Sequence, residues 1–358
     1  MKIRDGREGF EAPGARCWRT GAVLWIAAAL CLPLPDTSLA GQKEHHERRG
    51  GACSATASTQ YSACQNELAD DLDTQKALCL NLEDDQERDD CFDELKPASK
   101  EGYAACREQL DARRDLCEAL GEDRYDPDFD PAAFTSVFQD LNPYFPLRIG
   151  NHWEYVGGGE TITVDVTAAT KLIEGVTCIV ARDVVELDGK LSEDTDDWYG
   201  QRMDGTVDYC GESTRSFESF AGDQPETPEL VDIEGAWKTG RDGAKSGTQF
   251  PGSPEVGVTY RQEWSPGNAE DVARVLSKSY DYADGTELNE FVPQALAEYL
   301  CNHDCVVTLE FTPIDPGGFE RKYYAPGVGN FLEVNPETGE VVRLVACNLS
   351  GCGGLPQP

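Results

Sequence analysis

The chain has 358 residues, 66 acidic against 31 basic side chains, a formal net charge of −35 and 14 cysteines. So strong a negative charge repels phosphate, which argues against nucleic acid and anionic membranes as partners and leaves weak cation binding open. That many cysteines point to cross-links made in an oxidising compartment.

Lys2, Arg4, Arg7, Arg16 and Arg19 precede an apolar run over residues 22–34, and Ser38-Leu39-Ala40 follows with small residues at both cleavage positions. Residues 1–40 therefore read as a secretory signal peptide cut after Ala40, which makes the protein secreted or periplasmic. The run is shorter than the ~17–25 residues of a membrane span, and Pro33 interrupts it. No later run is apolar enough to cross a bilayer, so no stable membrane insertion is expected once the signal is gone. Losing Cys17 and Cys31 leaves an even set of cysteines. Residues 41–52 are polar and read as a flexible leader.

Residues 53–121 predict a cysteine-rich helical hairpin. Cys53, Cys64, Cys79, Cys91, Cys106 and Cys117 are spaced 11, 15, 12, 15 and 11 apart, a mirror pattern centred on Asp85. The composition, rich in Ala, Leu, Glu, Gln, Asp and Arg, favours helix. Steps of 11 and 15 residues return a helix close to the same face, and two cysteines 11 apart on one helix are separated by about 16 Å, beyond the reach of a disulfide. Pairing across a hairpin brings Cys53 to Cys117, Cys64 to Cys106 and Cys79 to Cys91, with the polar stretch 83–87 at the tip. Pro97 leaves a second arrangement open, in which the return arm splits into two helices.

Residues 122–131 are acidic and punctuated by Pro127 and Pro131, and read as a linker. The period then changes to two. About ten β-branched or aromatic runs from Trp153 to Val345, separated by turns such as Asp188-Gly189 and Asp204-Gly205, predict an antiparallel β domain over residues 132–347, followed by a tail at 348–358. The fold class is thus α+β, a disulfide-stapled helical hairpin followed by a large antiparallel domain, either sandwich or open barrel. The stretch 287–300 is the exception and reads as a helical insertion.

Several phrases carry a likeness. Asn142-Pro-Tyr-Phe-Pro-Leu147, Gly150 and Trp153-Glu-Tyr155 are followed in order by Asp197-Trp-Tyr-Gly-Gln201, Gly235-Ala-Trp237, Gly257-Val-Thr-Tyr-Arg-Gln-Glu263 and Tyr323-Tyr-Ala-Pro-Gly-Val-Gly329. This set resembles a family of secreted bacterial β-rich proteins of uncharacterised function, over about residues 127–345, with the hairpin as an added module. The chain departs from that pattern at His152 and around 286–304. The resemblance implies no catalytic residue. It implies cysteines at the positions of Cys178 and Cys305, and hence a Cys178–Cys305 pairing. Cys347 and Cys352 flank a tight stretch and are expected to close a small loop, which leaves Cys210 for Cys301.

No GxSxG, HExxH, P-loop or dinucleotide fingerprint is present, so no cofactor and no metal is expected. His152 reads as a packed or exposed histidine. His303 lies between Cys301 and Cys305, where two cysteines and a histidine could bind a metal, but the oxidising compartment favours disulfides for both cysteines. The acidic run from Glu193 to Asp197 reads first as a solvated edge, although Asp194 and Asp197 also offer a carboxylate pair for glycoside chemistry. Trp153, Trp198, Tyr199, Trp237, Tyr260, Trp264 and Tyr323 are the candidate pocket aromatics if they share a concave face; half-buried strands also carry aromatics in ordinary cores. The expected function is a non-catalytic binding or structural protein whose β domain holds a hydrophobic ligand or a protein partner, with the hairpin as spacer or docking arm. The alternative is an extracellular carboxylate-dependent hydrolase.

Overall fold

The computed structural model describes residues 51–358. The predicted signal peptide, and the leader up to residue 50, lie outside the described residues.

Two long helices, α1 (Ala52–Leu80) and α2 (Asp85–Leu120), form the antiparallel hairpin. Cys53–Cys117, Cys64–Cys106 and Cys79–Cys91 staple it, with Cα separations of 5.7, 5.8 and 5.7 Å. The turn is tighter than the expected 83–87. Asp84 caps α2, its carboxylate accepting from the backbone N–H of Gln86 at 2.8 Å and of Glu87 at 3.0 Å, so Asp85, Gln86 and Glu87 already belong to the first helical turn. Pro97 does not split the arm and α2 runs through it. Pro97 and Asp93 are both exposed, so the carbonyl that loses its partner to the proline faces water. Burial is confined largely to the base: α1 buries only Ala57 and Cys79, whereas α2 buries Cys106, Leu110, Arg113, Leu116 and Cys117. With so little core along its length, the hairpin depends on its cross-links.

The base is tied to the β domain. Glu122 accepts from the Ser54 backbone N–H at 3.0 Å, setting a negative charge at the positive end of α1. Arg113 donates through Nε and Nη2 to the Glu270 carboxylate at 2.8–3.2 Å, with side-chain exposures of 6% and 7%. In the linker, Tyr125 donates to the Ser246 carbonyl at 2.9 Å and Lys245 pairs with Asp126.

Seventeen strands follow, all paired antiparallel. They are β1 (Phe134–Thr135), β2 (His152–Gly157), β3 (Glu160–Ile173), β4 (Val176–Leu187), β5 (Lys190–Arg202), β6 (Val207–Ser213), β7 (Ser216–Glu218), β8 (Glu229–Asp232), β9 (Trp237–Lys238), β10 (Lys245–Phe250), β11 (Thr259–Arg261), β12 (Glu263–Trp264), β13 (Val272–Tyr280), β14 (Cys305–Phe311), β15 (Phe319–Ala325), β16 (Gly329–Val334) and β17 (Val341–Cys347). Pairing runs β13-β14-β15-β16-β17-β2-β3-β4-β5-β6-β10. The short β11–β12 segment reaches both ends, β11 pairing with β13 and β12 with β10. The sheet is therefore a nearly closed barrel, which removes most of the open edge that so long a meander would otherwise expose. Residues 281–304 carry the helix α3 (Gln294–Leu300) and pack on the outer face: Tyr323 donates to the Leu288 carbonyl at 2.6 Å, and Arg321 donates to the carbonyls of Glu287 and Glu290.

Two expected disulfides are corrected. Cys178 bonds Cys210, and Cys301 bonds Cys305, in place of Cys178–Cys305 and Cys210–Cys301. The register is the reason. Cys178 in β4 and Cys210 in β6 flank β5 and share a buried outer cluster with Ile173, Val176, Val180 and Trp198, whereas β14, which Cys305 begins, lies far from β4 in the pairing order. Cys301 ends α3 only four residues before Cys305. Cys347–Cys352 closes the small loop as expected.

Candidate functional site

Alternation decides which side chains enter the barrel. On β3 these are Ile162, Val164 and Val166; opposite them on β4 stand Val185, Asp183 and Ala181. Trp153 and Tyr155 of β2, Asp197 and Tyr199 of β5, Lys322 and Tyr324 of β15, and Asn330 and Glu333 of β16 continue the wall. The segment Tyr144-Phe-Pro-Leu147 covers it. Together they enclose a cavity of about 280 Å³, partly open to solvent. This lies near the lower end of the ~300–1,000 Å³ typical of small-molecule sites.

Two of the phrases noted in the sequence meet at this cavity. Asn142 fixes the covering segment, donating to the carbonyls of Gly205 and Pro251 at 3.0 and 3.2 Å and accepting from the Tyr144 N–H at 3.0 Å. Gly327 donates to the Pro143 carbonyl at 2.7 Å. The Trp153 indole donates to the Val328 carbonyl at 2.7 Å, so the ring is held by its polar edge while its face is left to the cavity.

Of the candidate aromatics, Trp153 and Tyr199 line the cavity. Trp198, Trp237, Tyr260, Trp264 and Tyr323 do not. Trp198 sits beside Asp197 and Tyr199 in sequence and so points to the other face, where the Lys171 ammonium lies 3.2 Å from its ring centroid. Tyr323 is turned outward by the same rule, against Tyr280 and Phe331. Trp237 is buried edge-on to Tyr209 at 5.5 Å. Trp264 faces Tyr125, and Tyr260 packs with Val275 and Tyr324. Tyr144, Tyr155 and Tyr324 take their places in the wall.

The proposed Asp194/Asp197 pair is divided by the same alternation. Asp194 points away from the cavity and is held by Arg182 at 2.9 Å and Arg215 at 3.1 Å. The hydrogen bond from Arg182 keeps its carboxyl below the usual range. Asp197 points in. Burial pushes its carboxyl up to about 7, against the hydrogen bond from Tyr209.

Tyr209 also lies 3.1 Å from Glu212 Oε2. Simple alternation would send Tyr209 and Glu212 to opposite faces. A bulge brings them together: Tyr199 pairs with Tyr209 and Trp198 with Gly211, so Cys210 is the extra residue. Gly211 has φ +130°, and a Cβ there would stand 2.5 Å from the Trp237 carbonyl oxygen. One tyrosine hydroxyl thus bridges two carboxyl groups. It has a single proton, so it can donate fully to only one of the two acids at a time. Burial, with Asp197 beside it, pushes Glu212 to about 8.

A second charged group sits on β15. Lys322 Nζ is 3.4 Å from Glu310 and from Glu333 and 3.8 Å from Glu320. Burial alone would lower this lysine, but the three carboxylates outweigh it and hold it well above its ordinary value. Asp183 has no such match. Its Oδ1 is shut off from solvent without a hydrogen-bond partner. Burial raises its carboxyl well above the ordinary value, and repulsion from Asp197, Glu193 and Glu333 adds to this, only partly offset by Lys322.

The sequence reading passed over Asp183, Lys322, Glu333 and Glu212. For Asp183 and Lys322 the signal was present, as charges inside β-branched or aromatic strands at positions that alternation assigns to a buried face; Glu212 reaches the interior only through the bulge at Cys210. His152 lies outside the cavity, its ring within 2.8 Å of Asp165 and 3.2 Å of Glu154. His303 is exposed in the Cys301–Cys305 loop. Among the described residues no cluster of three or more His, Cys, Asp or Glu is arranged to hold a metal ion, and no helix is long and apolar enough to cross a membrane. Comparison with known proteins returned no matching family model, no matching curated protein and no matching solved structure.

Proposed function

We propose that this is an exported, non-catalytic binding protein, of the secreted β-rich kind that its sequence phrases resemble. Its barrel holds a small, largely apolar ligand, and its hairpin serves as a rigid spacer or docking arm. The observation that carries this reading is the cavity itself. Aliphatic side chains from β3 and β4 and aromatic rings from β2, β5, β15 and the covering segment surround a space of ligand size, and Asp183, Asp197, Gln249, Lys322, Asn330 and Glu333 are the polar groups that could orient what enters. Six disulfides among the described residues suit an oxidising compartment. The test is saturable binding of the apolar dye N-phenyl-1-naphthylamine, read by its fluorescence. Val164→Trp, which fills the cavity from β3, should abolish it. A dye signal that does not saturate, or that survives Val164→Trp, rejects the reading.

A glycoside-type hydrolase is the second reading. It is favoured by Asp183 and Asp197 lining one cavity with raised carboxyl values, the arrangement that a general acid requires. Turnover of 4-nitrophenyl glycosides that disappears in Asp197→Asn would establish it over simple binding.

A further inference from the structure

The wall of the cavity says what kind of charge its ligand carries. Six aromatic side chains line it, Tyr144, Phe145, Trp153, Tyr155, Tyr199 and Tyr324, together with the acids Asp183, Asp197 and Glu333. Among the described residues the one cation in the wall is Lys322, and it is already matched by Glu310, Glu320 and Glu333. An anionic headgroup would therefore find no free positive partner and would face three carboxyl groups at short range. Asp197 is engaged by the Tyr209 hydroxyl, and Glu333 by Asn330 at 2.6 Å and by Lys322. Asp183 alone among these acids has an oxygen that is buried and unpartnered. A carboxyl group turns readily about its last torsion, so either oxygen can be presented to the cavity.

We propose that the cavity takes a small organic cation, an alkyl- or arylalkyl-ammonium ion, with the ammonium group against the Asp183 carboxylate and the apolar body among the aromatic rings. This rests on the binding reading above and names its ligand class. Two interactions recognise such an ion. The carboxylate accepts charge-assisted hydrogen bonds from the ammonium, and the π faces of the surrounding rings attract the cation. A cation in place also favours the ionised form of Asp183, which burial disfavours while the cavity is empty.

The test uses the full chain and three probes of similar shape, phenethylamine, 2-phenylethanol and 3-phenylpropionate, titrated by calorimetry and by tryptophan fluorescence. Phenethylamine should bind about tenfold or more tightly than 2-phenylethanol, the factor expected of a hydrogen bond to a charged group, and 3-phenylpropionate should bind weakest. Asp183→Asn keeps the shape and removes the charge, and should bring the first two probes to nearly equal affinity. Equal affinities in the unaltered protein, or preference for the acid, overturn the proposal. So does a preference for the amine that survives Asp183→Asn. The comparison in the unaltered protein decides the matter if the variant does not fold. Should N-phenyl-1-naphthylamine bind saturably while the amine shows no advantage, only the ligand class falls. If neither the dye nor any of the three probes binds, the binding reading falls with it.

Discussion

Replacing Arg113 with methionine tests how the hairpin is held. The substitution keeps the length of the apolar stem and deletes the guanidinium. It leaves Glu270 at the junction with its side chain 7% exposed. Breaking a buried pair from one side costs about 3–5 kcal/mol, because the remaining charge is uncompensated. Here the lower end applies. The Gly267 N–H still donates to Glu270 Oε1 at 2.7 Å, and the charge of Arg261 still acts on Glu270. A loss of about 3 kcal/mol is therefore expected for Arg113→Met, and most of it should return in Arg113→Met with Glu270→Leu, where no charge is left buried. Urea unfolding followed by far-ultraviolet circular dichroism and by tryptophan fluorescence measures both, since the helical signal is dominated by the hairpin and the tryptophans of the described residues all lie in the β domain. A single variant within about 0.5 kcal/mol of the unaltered protein would refute the reasoning, as that is the range of ordinary surface substitutions. A double variant as damaged as the single one would show that packing, and not the stranded charge, is what is lost.

Stability should fall as the solution is made alkaline. Asp208, Asp197 and Glu212 have folded values raised by burial to about 6, 7 and 8, above the ~4 of unfolded carboxyls. Such groups bind protons more tightly in the folded state, so their contribution is complete below about pH 4 and is lost as pH climbs through the folded values. The thermal midpoint should drop between about pH 5 and pH 8.5, and Asp197→Asn should flatten part of that slope; a midpoint rising over this interval contradicts the assignment. The bulge at Gly211 should tolerate no side chain. Gly211→Ala puts a Cβ 2.5 Å from the Trp237 carbonyl oxygen and 2.7 Å from Lys238 Cα, and is expected to abolish cooperative thermal unfolding. Gly189→Ala, where φ is also positive but nothing lies within 4 Å, serves as the control and should cost about 1 kcal/mol. Similar midpoints for the two would place the bulge elsewhere.

The sequence by itself determined the local and periodic features. The mirror spacing of six cysteines pointed to the hairpin and its three rungs, because helical rise and disulfide reach exclude pairing within one helix; that the return arm runs unbroken through Pro97 came from the structure. Period-two runs fixed the antiparallel domain, and the Cys347–Cys352 loop followed from proximity in the chain. The tertiary structure decided what depends on register. Whether the sheet closes, which face of β5 takes Asp197 and which takes Trp198, and which cysteine meets Cys178 all depend on how distant strands pair. A shift of one residue would exchange every one of those faces. The bulge at Cys210 is the sharpest instance. One extra residue puts Tyr209 and Glu212 on the same side, beside Asp197, and sends Cys210 outward to Cys178. No alternation rule read along β6 alone foretells that, since the φ of +130° at Gly211 and the close approach of the β9 backbone exist only once the strands have come together.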